Sequence, residues 1–299
     1  MKQQYDVPVV VIVFNRYELA KKMLDCLEKL RPGRLFVVSD GPRKEKSGEQ
    51  EKVERVRALF EHLNWPCELT RIYAETNMGC DERIPTGLDQ VFAQVERAVI
   101  LEDDCIPGED FFAYAEEMLE HYENCSQVMM VSGSNPCPKY QMEKSCCFTA
   151  RVYTWGWATW RRAWKYYCAD ASRWEEIQRD GSFAAAYPAR TRYYLKKEFG
   201  YYFQRGKCPW DYLWWISCLG EGGLCVVPKV NLISNEGFGE DATHTQGRED
   251  YRMETCEMEF PLDYPEEVAR DRKFDRYDRG LNPPSKLTRL FRRFGSLVK

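Results

Sequence analysis

Glu102, Asp103 and Asp104 stand in a row within Ile100-Leu101-Glu102-Asp103-Asp104-Cys105-Ile106-Pro107, directly after a short apolar run. Adjacent carboxylates repel one another, so a divalent cation is their natural partner. Hard oxygen ligands suit Mg²⁺ or Mn²⁺, commonly shared with substrate phosphates. A solvated acidic turn at a helix N-terminus would use the same residues. Their place at a strand end favours the metal. A second cluster, Pro209-Trp210-Asp211-Tyr212-Leu213-Trp214-Trp215, sets one acid among bulky aromatics. Desolvation there raises a carboxyl toward the general-base range, and a helix N-cap is the competing use. A third, Asn235 to Thr245, joins two glycines with Glu236, Glu240, Asp241 and His244. Such a segment suits a loop folding over a ligand, with Glu240 or Asp241 as the fallback base. His62 and His121 fall in helical patterns, which leaves His244 as the histidine for a metal or phosphate contact. Tyr153 to Trp160 is dense in tryptophan, and its rings serve either a sugar face or the core.

These residues need a scaffold, and the first half of the chain supplies a regular one. Val7 to Val13 is a continuous β-branched run, the mark of a strand buried on both faces. Leu19, Met23, Leu27 and Leu30 follow at helical spacing, then a strand from Leu35 to Val38 ends at Ser39-Asp40-Gly41-Pro42. Val53 to Leu63 gives a helix face, Leu69 to Tyr73 a strand, Leu88 to Val95 a helix face, and Ala98 to Leu101 a fourth strand. Phe111 to Tyr122 continues as a helix. This β-α alternation predicts an α/β fold with a mainly parallel sheet flanked by helices. Ligands of such sheets bind beyond the C-terminal strand ends. After Asn135-Pro136-Cys137-Pro138 the rhythm is lost, and eight of the nine tryptophans lie beyond residue 150.

With PVVVIVFNR, VVSDGPR, ETNMGC and VILEDDCIPGEDFF in that order, the chain resembles glycosyltransferases of the GT-A fold over residues 7–245. It is similar to the inverting N-acetylglucosaminyltransferase I family and related bacterial sugar transferases. The resemblance implies a Rossmann-like GT-A domain over residues 1–265. Residues 1–134 would bind the nucleotide sugar and 135–265 the acceptor. It implies Asp104 as principal metal ligand, His244 as a further one, and Glu102 and Asp103 near ribose and metal-bound water. Asn15, Arg16 and Asp40 would hold the nucleoside, with Asp40 accepting a base N–H that favours uracil; a plain turn residue is the competing use. Asn77 and Gly79 would lie near the diphosphate, Arg83 would meet phosphate, and Trp157 would lie beside the donor sugar. Asp211 would be the base, although the following tryptophan is displaced by one residue from the family pattern.

The implied function is metal-dependent transfer of a sugar, from UDP-sugar by this reading, to a glycan or lipid-linked glycan hydroxyl with inversion. A sugar nucleotidyltransferase is one rival; Phe14-Asn15-Arg16-Tyr17 lacks the Gly-rich basic loop it would want after strand one. A catalytically inactive carbohydrate-binding protein is another, and a membrane-surface scaffold a third.

Composition narrows the field further. The 299 residues are 44% hydrophobic and 30% charged, an ordinary globular balance. A net charge of −4 argues against nucleic acid as partner. The thirteen cysteines include no C-x-x-C pair, and most, such as Cys26, Cys67, Cys218 and Cys225, sit among apolar neighbours as small buried hydrophobes in a reducing cytosol. No signal segment is expected before the first strand. Residues 266–299 read as a charged, then basic and amphipathic tail. Leu287, Leu290, Phe291, Phe294, Leu297 and Val298 form one face in 286–299, suited to the inner membrane surface or to docking on the domain.

Overall fold

The strand run of the first half folds as its composition dictates. β1 (Val9–Val13) lies inside a sheet, parallel to β2 (Arg34–Ser39) on one side and β4 (Arg97–Glu102) on the other. β3 (Glu68–Tyr73) adds to β2, also in parallel. The crossovers are α1 (Tyr17–Leu30), α2 (Glu49–Ala58) and α3 (Cys80–Phe92). Val9, Val10, Val11 and Leu101 have no exposed surface, as a strand covered on both faces requires. The computed structural model describes residues 4–170, 172–237, 253–278 and 281. Glu240, Asp241, His244 and the segment 286–299 therefore lie outside the described residues.

Beyond β4 the sheet becomes mixed. After β5 (Cys105–Pro107) and α4 (Phe111–His121) come β6 (Val128–Ser132), β7 (Cys146–Thr149) and β8 (Trp157–Trp160). α5 (Arg161–Trp164), α6 (Ser172–Arg179), α7 (Ser182–Ala186), α8 (Ala189–Gln204) and α9 (Trp210–Gly220) follow. β9 (Leu224–Pro228), β10 (Ile233–Asn235) and α10 (Phe274–Tyr277) complete the described elements. Among the described residues the main sheet has eight strands in the order β3-β2-β1-β4-β8-β6-β9-β7. β8 runs antiparallel between β4 and β6, and β6 and β9 are again parallel. The fold is a Rossmann-like α/β sheet flanked by helices.

The aromatic run belongs to this second half as structure. Trp157 and Trp160 on β8 are 1% and 2% exposed, and Trp157 packs near Trp164, Trp210 and Trp214. This corrects the expectation for Trp157, whose ring has no surface left for a donor sugar. Gly156 has φ +60, and a Cβ there would meet Ile233 Cδ1 at 2.3 Å. A Cβ on Gly133 would meet Ile233 Cγ1 at 2.6 Å. Two absent side chains thus let Ile233 of β10 sink against the sheet.

Residues 263–278, which take in the start of the stretch that reads as a charged tail, pack on β7. Ser145 N–H donates to Asp263 O (2.8 Å), Asp271 N–H donates to Phe148 O (2.8 Å), and Phe148 and Arg270 form a parallel bridge. The thirteen cysteines are free thiols. Among the described residues no helix is long and apolar enough to cross a membrane.

Candidate active site

The acidic motif begins where the β1–β4 ladder ends. Glu102 on β4 pairs in register with Ile12 on β1, and Asp103 N–H donates to Ile12 O (3.0 Å). Arg16 follows β1 and caps α1, so the same strand ends bring its guanidinium onto the acids. It donates Nη2–H to Asp103 and Nη1–H to Asp104 Oδ2, the latter at 2.9 Å. Burial works against the Arg16 charge, but Asp103 and Asp104 overcome it and hold the group firmly protonated. Burial, reinforced by Asp104, pushes Glu102 up from the usual carboxyl range; burial also pushes Asp103 up, against the pull of Arg16. Asp103 is 2% exposed, and its Oδ2 has no hydrogen-bond partner. One guanidinium among three acids leaves an excess of negative charge.

A two-stranded ladder braces the motif from its far side. β5 pairs antiparallel with β10, Cys105 opposite Asn235, and Glu236 N–H donates to Asp104 O (2.8 Å). Asn235 Oδ1 accepts Gly237 N–H at 2.8 Å. A Cβ at Gly237 would lie 2.2 Å from Asp104 Oδ2. The backbone at Gly237 therefore rests directly on the Asp104 carboxylate.

Asp40, at the end of β2, has its oxygens taken up within the chain. Oδ1 accepts the N–H of Gly41 (2.8 Å) and of Met78 (2.9 Å). Oδ2 accepts Gly79 N–H and an Asn77 Nδ2–H, both at 2.9 Å. A carboxylate offers about four acceptor directions, and all are filled. Asp40 is a clasp joining the β2 turn to the loop before α3, which leaves it no acceptor direction for a base N–H. Asn77 belongs to the same clasp through Gly41 O (2.9 Å). Gly79 takes φ +79 with nothing within 4 Å of a hypothetical Cβ, so it opens α3 in a conformation suited to glycine.

Arg83 is 4% exposed and donates to Ser39 O (3.2 Å) and Ile72 O (2.5 Å). Burial lowers its pKa, as expected of a cation that bonds only carbonyls. This corrects the expectation of a phosphate contact: Arg83 is a strut between α3 and the ends of β2 and β3. Asn15 donates to Glu49 Oε1 (3.1 Å), which Arg43 also binds; Arg43 is the main reason Glu49 is pulled down to about 2.

Asp211 arrives from the second half. α9 starts at Trp210, whose N–H donates to Asp81 Oδ1 on α3 (3.1 Å) across 129 positions. Asp81 thus ties the starts of α3 and α9 together. It went unnoticed in the sequence, where it looks like any first-turn acid. Burial pushes Asp211 up to about 6; the Tyr212 N–H lowers it, Asp81 raises it and Arg151 lowers it. The Asp211 charge also acts on Glu102, as the smallest of the influences that raise or lower that carboxyl.

The implied Mn²⁺ or Mg²⁺ can be tested against these donors. Among the described residues no group of three His, Cys, Asp or Glu is arranged to hold an ion. The orphaned Asp103 Oδ2 and the uncompensated acids still favour a cation. Mg²⁺ is commonly held by one or two carboxylates with substrate phosphates completing its shell. The residues would suit a cation shared with a diphosphate, on the Asp104 that the resemblance implies, rather than a self-sufficient metal centre.

No family model matches the chain, and no curated protein matches it. Among solved structures, it is similar to a cytidylyltransferase from Leptospira borgpetersenii serovar Hardjo-bovis, at 11% identity and a TM-score of 0.34, over 58% of this chain and 69% of that one. It is also similar to 4-diphosphocytidyl-2C-methyl-D-erythritolsynthase from Anaerococcus prevotii, at 11% identity and a TM-score of 0.34, over 65% and 83%. Values this low assign no reaction.

Proposed function

We propose that the chain is a nucleotide-sugar-dependent transferase that moves a sugar, from a UDP-linked donor, to a hydroxyl of a glycan or lipid-linked glycan with inversion. The observation that carries this reading is the row Glu102, Asp103 and Asp104 at the end of β4, with Asp211 at the start of α9 near enough for its charge to act on Glu102. In this reading Asp211 accepts the proton of the acceptor hydroxyl as its oxygen attacks the anomeric carbon opposite the leaving diphosphate. A base with a pKa near 6 is largely ionised at neutral pH and still basic enough to help. Glu102 and Asp103 would orient ribose and sugar hydroxyls. Arg16, already charged, could turn from the acids to the diphosphate. A divalent cation on Asp104 would neutralise charge on the leaving group. The reducing cytosol, at the inner face of the membrane, is the place proposed for this reaction.

A sugar nucleotidyltransferase, the rival weighed from the sequence, is the class to exclude. Thermal shift and turnover with a panel of UDP-sugars, with and without Mn²⁺, form the test. Sugar transfer predicts Mn²⁺-dependent stabilisation by UDP-sugar and slow release of UDP. The rival predicts pyrophosphate release from a nucleoside triphosphate and a sugar 1-phosphate. Stabilisation without turnover would favour a sugar-binding protein that has lost catalysis.

A further inference from the structure

We propose that the outer face of α8 is a docking surface for an anionic lipid bilayer. Residues 190–207 carry six basic side chains (Arg190, Arg192, Lys196, Lys197, Arg205 and Lys207) against one acid, in a chain whose net charge is −4. That acid, Glu198, is turned inward, where Tyr212 donates its O–H to it at 2.5 Å. The exposed face is therefore cationic on an acidic molecule, an asymmetry that marks an acidic partner.

The aromatics on the same face narrow the partner to a lipid surface. Tyr193 and Tyr201 are 64% and 52% exposed, two of the five large hydrophobic side chains exposed among the described residues. They stand eight positions apart, with a cation four residues after each. Lys197 Nζ lies 4.5 Å from the Tyr193 ring centroid, and Arg205 Cζ lies 3.6 Å from that of Tyr201. A strip of tyrosine bodies under cationic heads matches the bilayer interface, where rings sit at headgroup level and basic groups meet lipid phosphate.

The inner face of α8 makes the placement consequential. Thr191, Leu195 and Phe199 are buried, with Phe199 against Trp215 (5.2 Å) and Tyr202 against Tyr212 (5.1 Å). α8 therefore holds the helix that carries Asp211. Docked through its outer face, α8 would bring the acceptor side to about one helix diameter, roughly 10 Å, from the lipid. Acceptor delivery from the bilayer rests on the function proposed above. Membrane binding itself does not.

Co-sedimentation of the full chain with phosphatidylglycerol-containing vesicles, against pure phosphatidylcholine, tests the surface without any turnover assay. Binding should require phosphatidylglycerol, weaken with salt, and fall by about tenfold or more in Lys196→Glu/Lys197→Glu. Tyr193→Ser/Tyr201→Ser should lower it several-fold at unchanged charge. Lys196→Gln/Lys197→Gln gives the same comparison should the double reversal perturb folding. No binding to the anionic vesicles, or equal binding by these variants, would overturn the proposal. So would binding abolished only by Arg292→Glu/Arg293→Glu in the terminal segment. RNA or heparin binding equal to that of vesicles, and indifferent to the tyrosines, would also overturn it.

Discussion

At the scale of single residues, the sign of a stability change separates two uses of Asp211. Burial raises its folded pKa from 3.8 to about 6. Protonation therefore favours the folded state: that contribution is whole below about pH 3.8 and is lost as pH rises through 6. Asp211→Asn removes the cost of a desolvated charge, so it should stabilise the protein at pH 8 by about 1–3 kcal/mol and change little at pH 4. A residue serving the helix N-terminus would behave oppositely, losing up to about 1 kcal/mol at pH 8. Melting temperatures at the two pH values distinguish these outcomes. Where turnover is measurable, the same variant should retain donor binding while kcat falls by about 10²–10⁴. Asp40 gives the contrasting case. Asp40→Asn turns an amide NH₂ toward some of four donors, so it should cost about 2–4 kcal/mol in denaturant unfolding, with or without nucleotide present. An unchanged midpoint, with only nucleotide binding lost, would restore the base-contact role.

Elements show why some of this was legible and some not. β1, β2 and β4 announce themselves because each is a short apolar run, and a strand covered on both faces must look that way; β3, the edge strand, carries exposed Glu68 and Arg71 and reads less plainly. β6 to β8 do not: they fall outside the β-α rhythm, and β8 is written in tryptophan, alanine and a single threonine rather than in a β-branched run; β9 shows only as short strand material from Val226, interrupted by Pro228. Glu102 to Asp104 and Arg16 stand out in the sequence by type and strand-end placement, and Asp211 by its aromatic neighbours at the start of α9; their chemical roles remain those of the proposed function. The roles of Asp40 and Arg83 were not legible, since they depend on which donors and carbonyls the fold delivers from more than ten positions away. The β5–β10 ladder is the least visible part. Its use depends on Gly133 and Gly156 making room for Ile233, and on Gly237 lying against Asp104. Gly237→Ala should therefore displace the Asp104 carboxylate. We expect the melting temperature to stay within a few degrees while Mn²⁺-dependent stabilisation by UDP-sugar disappears. Retention of that shift would show that Asp104 does not share the cation.

At the scale of the whole molecule, the segment 263–278 closes the core and reaches toward the candidate base. Asp278 is 2% exposed and accepts Arg151 Nη1–H at 2.8 Å and the Tyr153 O–H at 2.9 Å. Arg151 in turn lies 5.4 Å from the ring centroid of Trp215, one turn along α9 from Asp211, and its charge lowers the Asp211 pKa. Asp278 is buried and the Arg151 side chain is 25% exposed, so removing the carboxylate leaves a mostly desolvated cation without its counter-charge, a change that costs up to about 3–5 kcal/mol. For a chain of this size that is a drop of roughly 6–15 °C in melting temperature. Asp278→Ala should show the full loss. Asp278→Asn, which keeps a hydrogen-bond acceptor for Tyr153, should lose less. Both variants should also shift Asp211 toward lower pH, because an Arg151 no longer neutralised by Asp278 attracts its negative charge more strongly. That shift is read as an earlier acid limb in the pH dependence of turnover. A melting temperature equal to that of the unmodified chain would show that the terminal segment merely lies beside the core. A lowered melting temperature with an unmoved acid limb would confine its role to stability and detach Arg151 from the base.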